Sequence, residues 1–257
     1  MIGLILAAGR GVRMSPYTDA VPKEILPVAE IPVIEYSIRY LGDAGVNKIY
    51  IVLSNRKASL IEYIKDGKWL NVHVTYLYQD MRYGTGTTKA IEVAQPWVRG
   101  DFIVFYGDSF FHPGDFVKDI ISFHRKKKAS VTMGLYEVSD PTRFGIAKIN
   151  PEGALIDLIE RPSVEKLKDL KANEYYLANS SPLIFKPEVF DYIAKTKPAP
   201  DGEYWITETI RLMLKDDRPV YGFQIPPNVF WRDIGTPKAR LEADEYALKN
   251  VKLSKEI

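Results

Sequence analysis

Bare backbone followed by positive charge is the first chemistry the chain offers. In Leu6-Ala7-Ala8-Gly9-Arg10-Gly11-Val12-Arg13-Met14-Ser15-Pro16, Gly9 and Gly11 remove two side chains from a single turn. Without side chains, main-chain N–H groups can approach an anion, and successive amides in such a turn form an anion-binding concavity. Arg13 adds a planar fork for phosphate oxygens, and Lys23 adds a compact charge. Together these groups describe a site for a polyphosphate. The segment is not a P-loop, because no Gly-Lys-Ser/Thr follows it. It is also a poor dinucleotide fingerprint: Met14 stands where the third glycine would be. Taken alone, the Gly-x-Gly fits an ordinary tight turn equally well.

Two carboxylates belong to the same chemistry. Asp108 follows the apolar run Phe102–Tyr106 with only Gly107 between, and Asp233 stands in Trp231-Arg232-Asp233-Ile234-Gly235-Thr236, just before a helix start. Either aspartate alone also reads as a turn or helix-cap residue. Near one polyphosphate the two would hold Mg2+, a hard cation that takes oxygen ligands. Gln79, followed by Tyr83-Gly84-Thr85-Gly86-Thr87, offers an amide for the edge of a base beside bare backbone. As a plain structural feature it is a polar loop capping the next helix.

The elements that must position these groups alternate. Ile2–Leu6, Lys48–Leu53, residues 72–77 and Phe102–Tyr106 read as buried strands. Between them, Ile34, Ile38 and Leu41 fall on one helical face that Gly45 can end, Leu60, Tyr63 and Ile64 suggest a short helix, and residues 87–98 read as helical. Residues 116–128 follow as a helix with a basic end, as the helix dipole favours. This order implies a parallel sheet covered on both faces, with ligands at the carboxyl ends of its strands. The second half changes character. Val131–Val138, Gly145–Ile149, residues 155–159 and 183–185 suggest an inserted small antiparallel or mixed sheet. Residues 203–215 read as a helix, 195–202 as a surface loop and Val220–Gln224 as a strand, and Thr236-Pro237 opens the last helix as cap and first turn.

Composition removes other classes. The chain has 257 residues, 46% hydrophobic and 12% aromatic, enough for one large α/β domain. A net charge of +2 lacks the basic excess of a general nucleic-acid binder. With no cysteine, disulfides, thiolate metal sites and cysteine nucleophiles are excluded. His73, His112 and His124 are too scattered for a zinc site and read as surface or core packing. The first apolar run is too short for a membrane span and lacks the flanks of a signal peptide, so a soluble cytoplasmic protein is expected. A nicotinamide-dependent oxidoreductase would want an acidic ribose ligand after the second strand, where Ser54-Asn55-Arg56 offers none.

The string from Leu6 to Val28, ending Pro22-Lys23-Glu24-Ile25-Leu26-Pro27-Val28, resembles the signature of the sugar-1-phosphate nucleotidyltransferases. Tyr106-Gly107-Asp108 and Trp231-x-Asp233-Ile-Gly-Thr-Pro resemble that family's two metal-ligand motifs, in the same order. The resemblance implies a Rossmann-like α/β fold whose inserted sheet forms the sugar-binding side. It implies a single domain over residues 1–250, with 1–130 mainly nucleotide-binding, 131–235 mainly sugar-binding, and 251–257 a charged tail. It gives Arg13 and Lys23 catalytic roles and Asp108 and Asp233 the metal. The nucleotide falls to Leu6, Ala7, Ala8, Gly9, Gly11, Gln79, Gly84 and Thr85. The sugar phosphate falls to Gly145, Glu160, Arg161 and Asn179. Glu203 and Ile206-Thr207-Glu208 resemble a further helix start of the family. Arg161 stands where the family's usual Glu-Lys-Pro has lysine. The implied reaction joins a nucleoside triphosphate, UTP or dTTP, to a sugar 1-phosphate, most simply glucose 1-phosphate, with Mg2+. The implied partners are small molecules and further copies of the chain, with no nucleic acid or membrane. No hexapeptide-repeat segment follows, so no acetyltransferase activity is expected.

Overall fold

A computed structural model describes residues 1–172 and 174–252; most of the expected charged tail, residues 253–257, lies outside the described residues. The elements run β1 (Ile2–Leu6), α1 (Tyr17–Ala20), a two-residue hairpin β2 (Pro27–Val28) and β3 (Ile31–Pro32), α2 (Val33–Asp43), β4 (Lys48–Leu53), α3 (Ala58–Ile64), β5 (His73–Tyr78), α4 (Thr87–Glu92) and β6 (Phe102–Tyr106). There follow β7 (Ser109–His112), α5 (Phe116–Lys127), β8 (Val131–Val138), β9 (Gly145–Ile149), β10 (Leu155–Glu160), α6 (Val164–Leu170), β11 (Tyr176–Phe185), α7 (Val189–Ile193), α8 (Ile206–Lys215), β12 (Val220–Gln224), β13 (Phe230–Asp233) and α9 (Pro237–Asn250).

Strands β6, β1, β4 and β5 pair in parallel, as their apolar runs require. Alternation divides β1 between two cores. Leu4 joins Val52 and Val104 under α4, α7 and α8, and Ile5 joins Ile51 and Phe105 under α2, α3 and α5. The helical face foreseen at Ile34, Ile38 and Leu41 lies in the second of these cores.

The expected antiparallel and mixed insertion is present, joined to the parallel sheet rather than forming a separate layer. It continues the same sheet through β11, which pairs antiparallel with β6 over Leu183–Phe185 and with β8 along its length. One edge of β11 is shared: its last residues lie against β6, and Leu177 and Ala178 lie against β9. The sheet therefore forks near Asn179, at a bulge between Ser180 and Leu183. Helix α4 ends at Glu92, shorter than the helix expected over 87–98. A 3-10 turn at Gln95–Trp97, with Pro96 near its start, takes its place. Strands β7 and β13 form a separate antiparallel pair that local sequence did not reveal. Among the described residues no helix is long and apolar enough to cross a membrane.

Of the histidines, His124 is core, with 1% of its surface exposed. Its Nδ1 lies 2.8 Å from Thr132 Oγ1 and its Nε2 3.7 Å from Asp101 Oδ2, with Lys186 and Arg125 also near. Burial, opposed by Asp101, holds the imidazole below its ordinary 6.5. The unfolded chain then takes up a proton near that value while the folded chain does not. Stability is lost as pH falls through 6.5 toward the lower folded value, at no more than about 1.4 kcal/mol per pH unit. Urea unfolding at pH 7.5 and 5.5 should show a larger drop for the native chain than for His124→Gln. Equal drops would show that His124 does not contribute.

Candidate functional site

The glycine loop leaves the sheet at Ala7, whose N–H donates to Val52 O at 2.9 Å and extends the β1–β4 ladder. Gly11 then takes φ +69°, and a Cβ there would lie 2.8 Å from Thr18 Cγ2. Thr18 Oγ1 donates to Gly11 O at 2.9 Å, and Met14, fully buried, anchors the far end of the turn. Lys23 comes from a one-turn 3-10 segment beside this loop, its Nζ 3.8 Å from where a Cβ on Gly9 would sit.

Across the sheet, β6 ends at Tyr106. Gly107 N–H donates to Leu6 O at 2.9 Å, and a Cβ on Gly107 would crowd that oxygen at 3.1 Å. Asp108 follows and forms an ion pair with Lys23 through Oδ2 and Nζ. The chain then turns into β7, which pairs with β13 in a register that sets Ser109 opposite Asp233. Ile234 N–H closes the corner on Asp108 O at 2.9 Å. The two aspartates, distant in sequence, are thus held as neighbours by a short ladder. Neither caps a helix: Asp108 precedes a strand, Asp233 ends one, and Thr236 Oγ1 caps α9 by accepting from Ala239 N–H at 3.2 Å. Arg13 lies over Gly235, where a Cβ would stand 3.0 Å from its guanidinium and 3.3 Å from Asp233 Oδ2.

The charges answer to one another. Burial alone would lower the Lys23 ammonium, but Asp108 and Glu24 outweigh it and hold it above its usual range. Burial would raise Asp108, and Lys23 outweighs that and holds it low. Asp233 is raised, by burial first and by the Asp108 charge second. Beneath them Lys57 Nζ donates to Glu24 Oε2 at 2.6 Å, both side chains buried. Burial pushes the Glu24 carboxyl up and the Lys57 ammonium down, and each partner opposes the shift in the other.

The opposite wall comes from the fork. Gly145 opens β9 opposite Glu160 in the ladder, and a Cβ on Gly145 would lie 2.7 Å from Glu160 Oε2. Asn179 projects from β11, and the Tyr106 hydroxyl faces Asn179, Glu160 and Asp108. Residues 203–205 do not join α8 as expected. Tyr204 N–H donates to Thr85 O at 2.9 Å and Tyr204 O accepts from Thr88 N–H at 3.0 Å, so the helix starts at Ile206. This strap presses on Gly86, where a Cβ would meet Tyr204 O at 2.5 Å. Gln79, 3% exposed, donates through Nε2 to Gly84 O at 3.3 Å.

These walls enclose one cleft of about 930 Å3. Of the residues read from sequence, Leu6, Ala8, Gly9, Gly11, Arg13, Lys23, Gln79, Thr85, Asp108, Gly145, Glu160, Arg161, Asn179 and Asp233 line it. Ala7 and Gly84 do not. Ala7 is fully buried in the second core with its N–H in the ladder, and Gly84 supports Gln79 from behind. Sequence reading missed Tyr106, Ser109, Arg143, Trp205 and Trp231 as lining residues. Buried polar atoms of the lining that lack a partner among the described residues include Ser109 Oγ, Asn179 Oδ1, Trp205 Nε1 and Trp231 Nε1. Unpaired polar atoms in native structures call for an explanation, and a polar ligand in this cleft would supply one.

An amide loop and cations at the carboxyl ends of parallel strands, with two carboxylates brought beside them by an antiparallel ladder, suit an α/β protein to holding phosphate groups. Comparison with known proteins carries this further. The Nucleotidyl transferase family matches residues 2–250, and the chain belongs to that family. It is 32% identical to the low-salt glycan biosynthesis nucleotidyltransferase Agl11 of Haloferax volcanii, over 99% of this chain and 68% of that protein. It is 28% identical to the UTP–glucose-1-phosphate uridylyltransferase AglF of the same organism, over 95% of this chain and 96% of that one. It matches the bifunctional protein GlmU of Methanococcus vannielii at 31% identity but spans only 56% of its length. A solved structure of UDP-glucose pyrophosphorylase complexed with UDP-glucose superposes with TM-score 0.82 at 25% identity, covering 97% of this chain and 99% of that one.

The buried ion pair under the cleft yields a stability test. Lys57→Met leaves the Glu24 carboxylate buried without its partner, and should cost about 3–5 kcal/mol. Adding Glu24→Met removes the orphaned charge and should recover a large part of that loss in urea unfolding. A double variant no more stable than Lys57→Met would show that the loss does not come from the orphaned carboxylate.

Proposed function

We propose that the chain transfers a nucleotidyl group from UTP or dTTP to glucose 1-phosphate, releasing pyrophosphate and forming a nucleotide sugar. The observation that carries this reading is the meeting of Lys23, Asp108, Asp233 and Arg13 beside the bare Gly9 loop in one cleft. The names of AglF and of the UDP-glucose pyrophosphorylase neighbour support glucose 1-phosphate and a uridine nucleotide.

A phosphate oxygen of the sugar 1-phosphate attacks the α-phosphorus in line. The new P–O bond forms as the bond to the β-phosphate oxygen breaks, and pyrophosphate carries away those electrons. Such a transfer needs positioning and neutralised charge more than an acid or a base. In this reading the loop amides and Arg13 hold the β- and γ-phosphates, and Lys23 neutralises the phosphates that meet. Gln79 takes the base, and Glu160 accepts hydrogen bonds from sugar hydroxyls.

Asp108 and Asp233 fit Mg2+: they are carboxylates held as neighbours by the β7–β13 ladder, and both line the same cleft. Bound there, the ion would act as Lewis acid and template.

Removing a group that faces developing charge costs about 2.7–4 kcal/mol of barrier, so Lys23→Ala and Asp108→Ala should each lose roughly a hundredfold or more in turnover. Circular dichroism should show both still folded. Near-normal turnover in either variant removes that residue from the mechanism. A panel of sugar 1-phosphates against the nucleoside triphosphates with Mg2+, read by pyrophosphate release, tests the reaction itself. Ligand-dependent stabilisation with no pyrophosphate from any pair would overturn it in favour of a silent nucleotide-sugar sensor.

A further inference from the structure

The cations lining the cleft are Arg10, Arg13, Lys23, Arg143 and Arg161. Arg10 and Arg13 follow the glycine loop on the triphosphate side and Lys23 stands between the two reacting phosphates, which leaves Arg143 and Arg161 as the cations for the sugar side of the cleft. The family resemblance favours Arg161, but its surroundings do not. Its Nε lies 3.9 Å from Glu160 Oε1, its guanidinium reaches Asp201 Oδ2 at 3.5 Å, and it lies over the Trp205 ring at 5.4 Å. It is therefore held among two carboxylates and an aromatic face, at the end of the cleft where Glu160 meets sugar hydroxyls.

Arg143 stands differently. Phe144 packs on Trp231 with ring centroids 5.3 Å apart, which fastens the 141–145 loop to β13 two residues before Asp233. Arg143 is exposed, lines the cleft and has no carboxylate within ion-pair distance among the described residues, although Asp140 and Asp233 are near enough to feel its charge. The loop is tied to the sugar side as well, since Arg161 N–H donates to Phe144 O at 3.0 Å. Arg143 thus sits between the sugar wall and the carboxylates, where the two reacting phosphates must meet.

Building on the nucleotidyl-transfer reading, we propose that Arg143, rather than Arg161, binds the phosphate of the sugar 1-phosphate. A guanidinium can grip two phosphate oxygens at once, and one with no carboxylate at ion-pair distance surrenders least on doing so.

Steady-state kinetics of the full chain test this, using UTP and whichever sugar 1-phosphate the native protein turns over fastest. Arg143→Gln should raise KM for the sugar 1-phosphate roughly tenfold or more while KM for UTP stays within about twofold. Arg161→Gln should have the smaller effect of the two. Arg143→Lys should recover part of the loss, since it restores charge but not the fork. The reverse ranking of the two arginines overturns the assignment while leaving the reaction intact. So does an equal rise for UTP in Arg143→Gln, which would move Arg143 to the triphosphate. A native protein inactive with every sugar 1-phosphate removes both the reaction and this assignment.

Discussion

The Lys23–Asp108 ion pair joins the loop after β1 to the turn after β6, 85 residues apart, and the rest of the site is arranged around it. Each group is almost enclosed, with 16% of its side chain exposed. An ammonium or a carboxylate taken out of water alone is severely penalised, and only a close counter-charge with good geometry offsets that. Burial and pairing act in opposite directions here, and pairing prevails: Lys23 is raised and Asp108 lowered, so both stay charged across the ordinary range. The cleft floor is therefore a fixed array of charges before any ligand arrives, and fixed charges cost no reorganisation during a reaction.

The pair depends on three devices of the fold. Parallel β1 and β6 lie side by side, so their carboxyl ends, and the loops that leave them, are neighbours by construction. Glycines at 107 and 11 let those loops approach backbone and side chains that a Cβ would strike. The β7–β13 ladder carries Asp233 to Asp108, held by stacked aromatics: Phe111 on Trp231 at 6.2 Å, and Phe230 on Tyr246 of α9 at 3.9 Å. The fork in β11 supplies the other wall. Had β11 stayed paired with β6 throughout, β9 and β10 would have no edge to join, and Gly145, Glu160 and Asn179 would not face the carboxylates.

What could be read from sequence follows from how local each cause is. The strands of the parallel core announce themselves as short apolar runs, and the phosphate loop as glycines and cations within one turn. The β7–β13 pairing was hidden, because Ser109–His112 and Phe230–Asp233 gain their reason to be strands only from each other, across more than a hundred residues. The sequence suggests too early a start for α8, since Glu203 suits a first turn by its charge. The backbone of Tyr204 is instead committed to Thr85 and Thr88. Ala7 shows the limit of a motif. It belongs to the signature string, but its N–H continues the sheet and its side chain points to the far core. Trp231 reads only as part of the motif around Asp233, and Trp205 carries no signal in the sequence; the unpaired indole N–H groups at the cleft are what mark both.

Glu24 shows how the buried layer and the reactive layer are one electrostatic unit. Its carboxylate is bonded to Lys57 yet also holds the Lys23 ammonium up, third in weight after burial and Asp108. Lys57 in turn adds to the lowering of Asp108. Two cations and two anions thus alternate from the core to the cleft floor, and each neutralises more than one neighbour. A hydrophobic replacement of the deeper pair would pack as well, but Lys23 would then face Asp108 with nothing behind it. Its ammonium would follow whichever carboxylate or phosphate came nearest, whereas the Glu24 carboxylate behind it gives the ammonium a preferred place. Alternation of this kind is costly to bury and adds little net stability, which is consistent with its serving placement at the floor of the cleft rather than support of the fold.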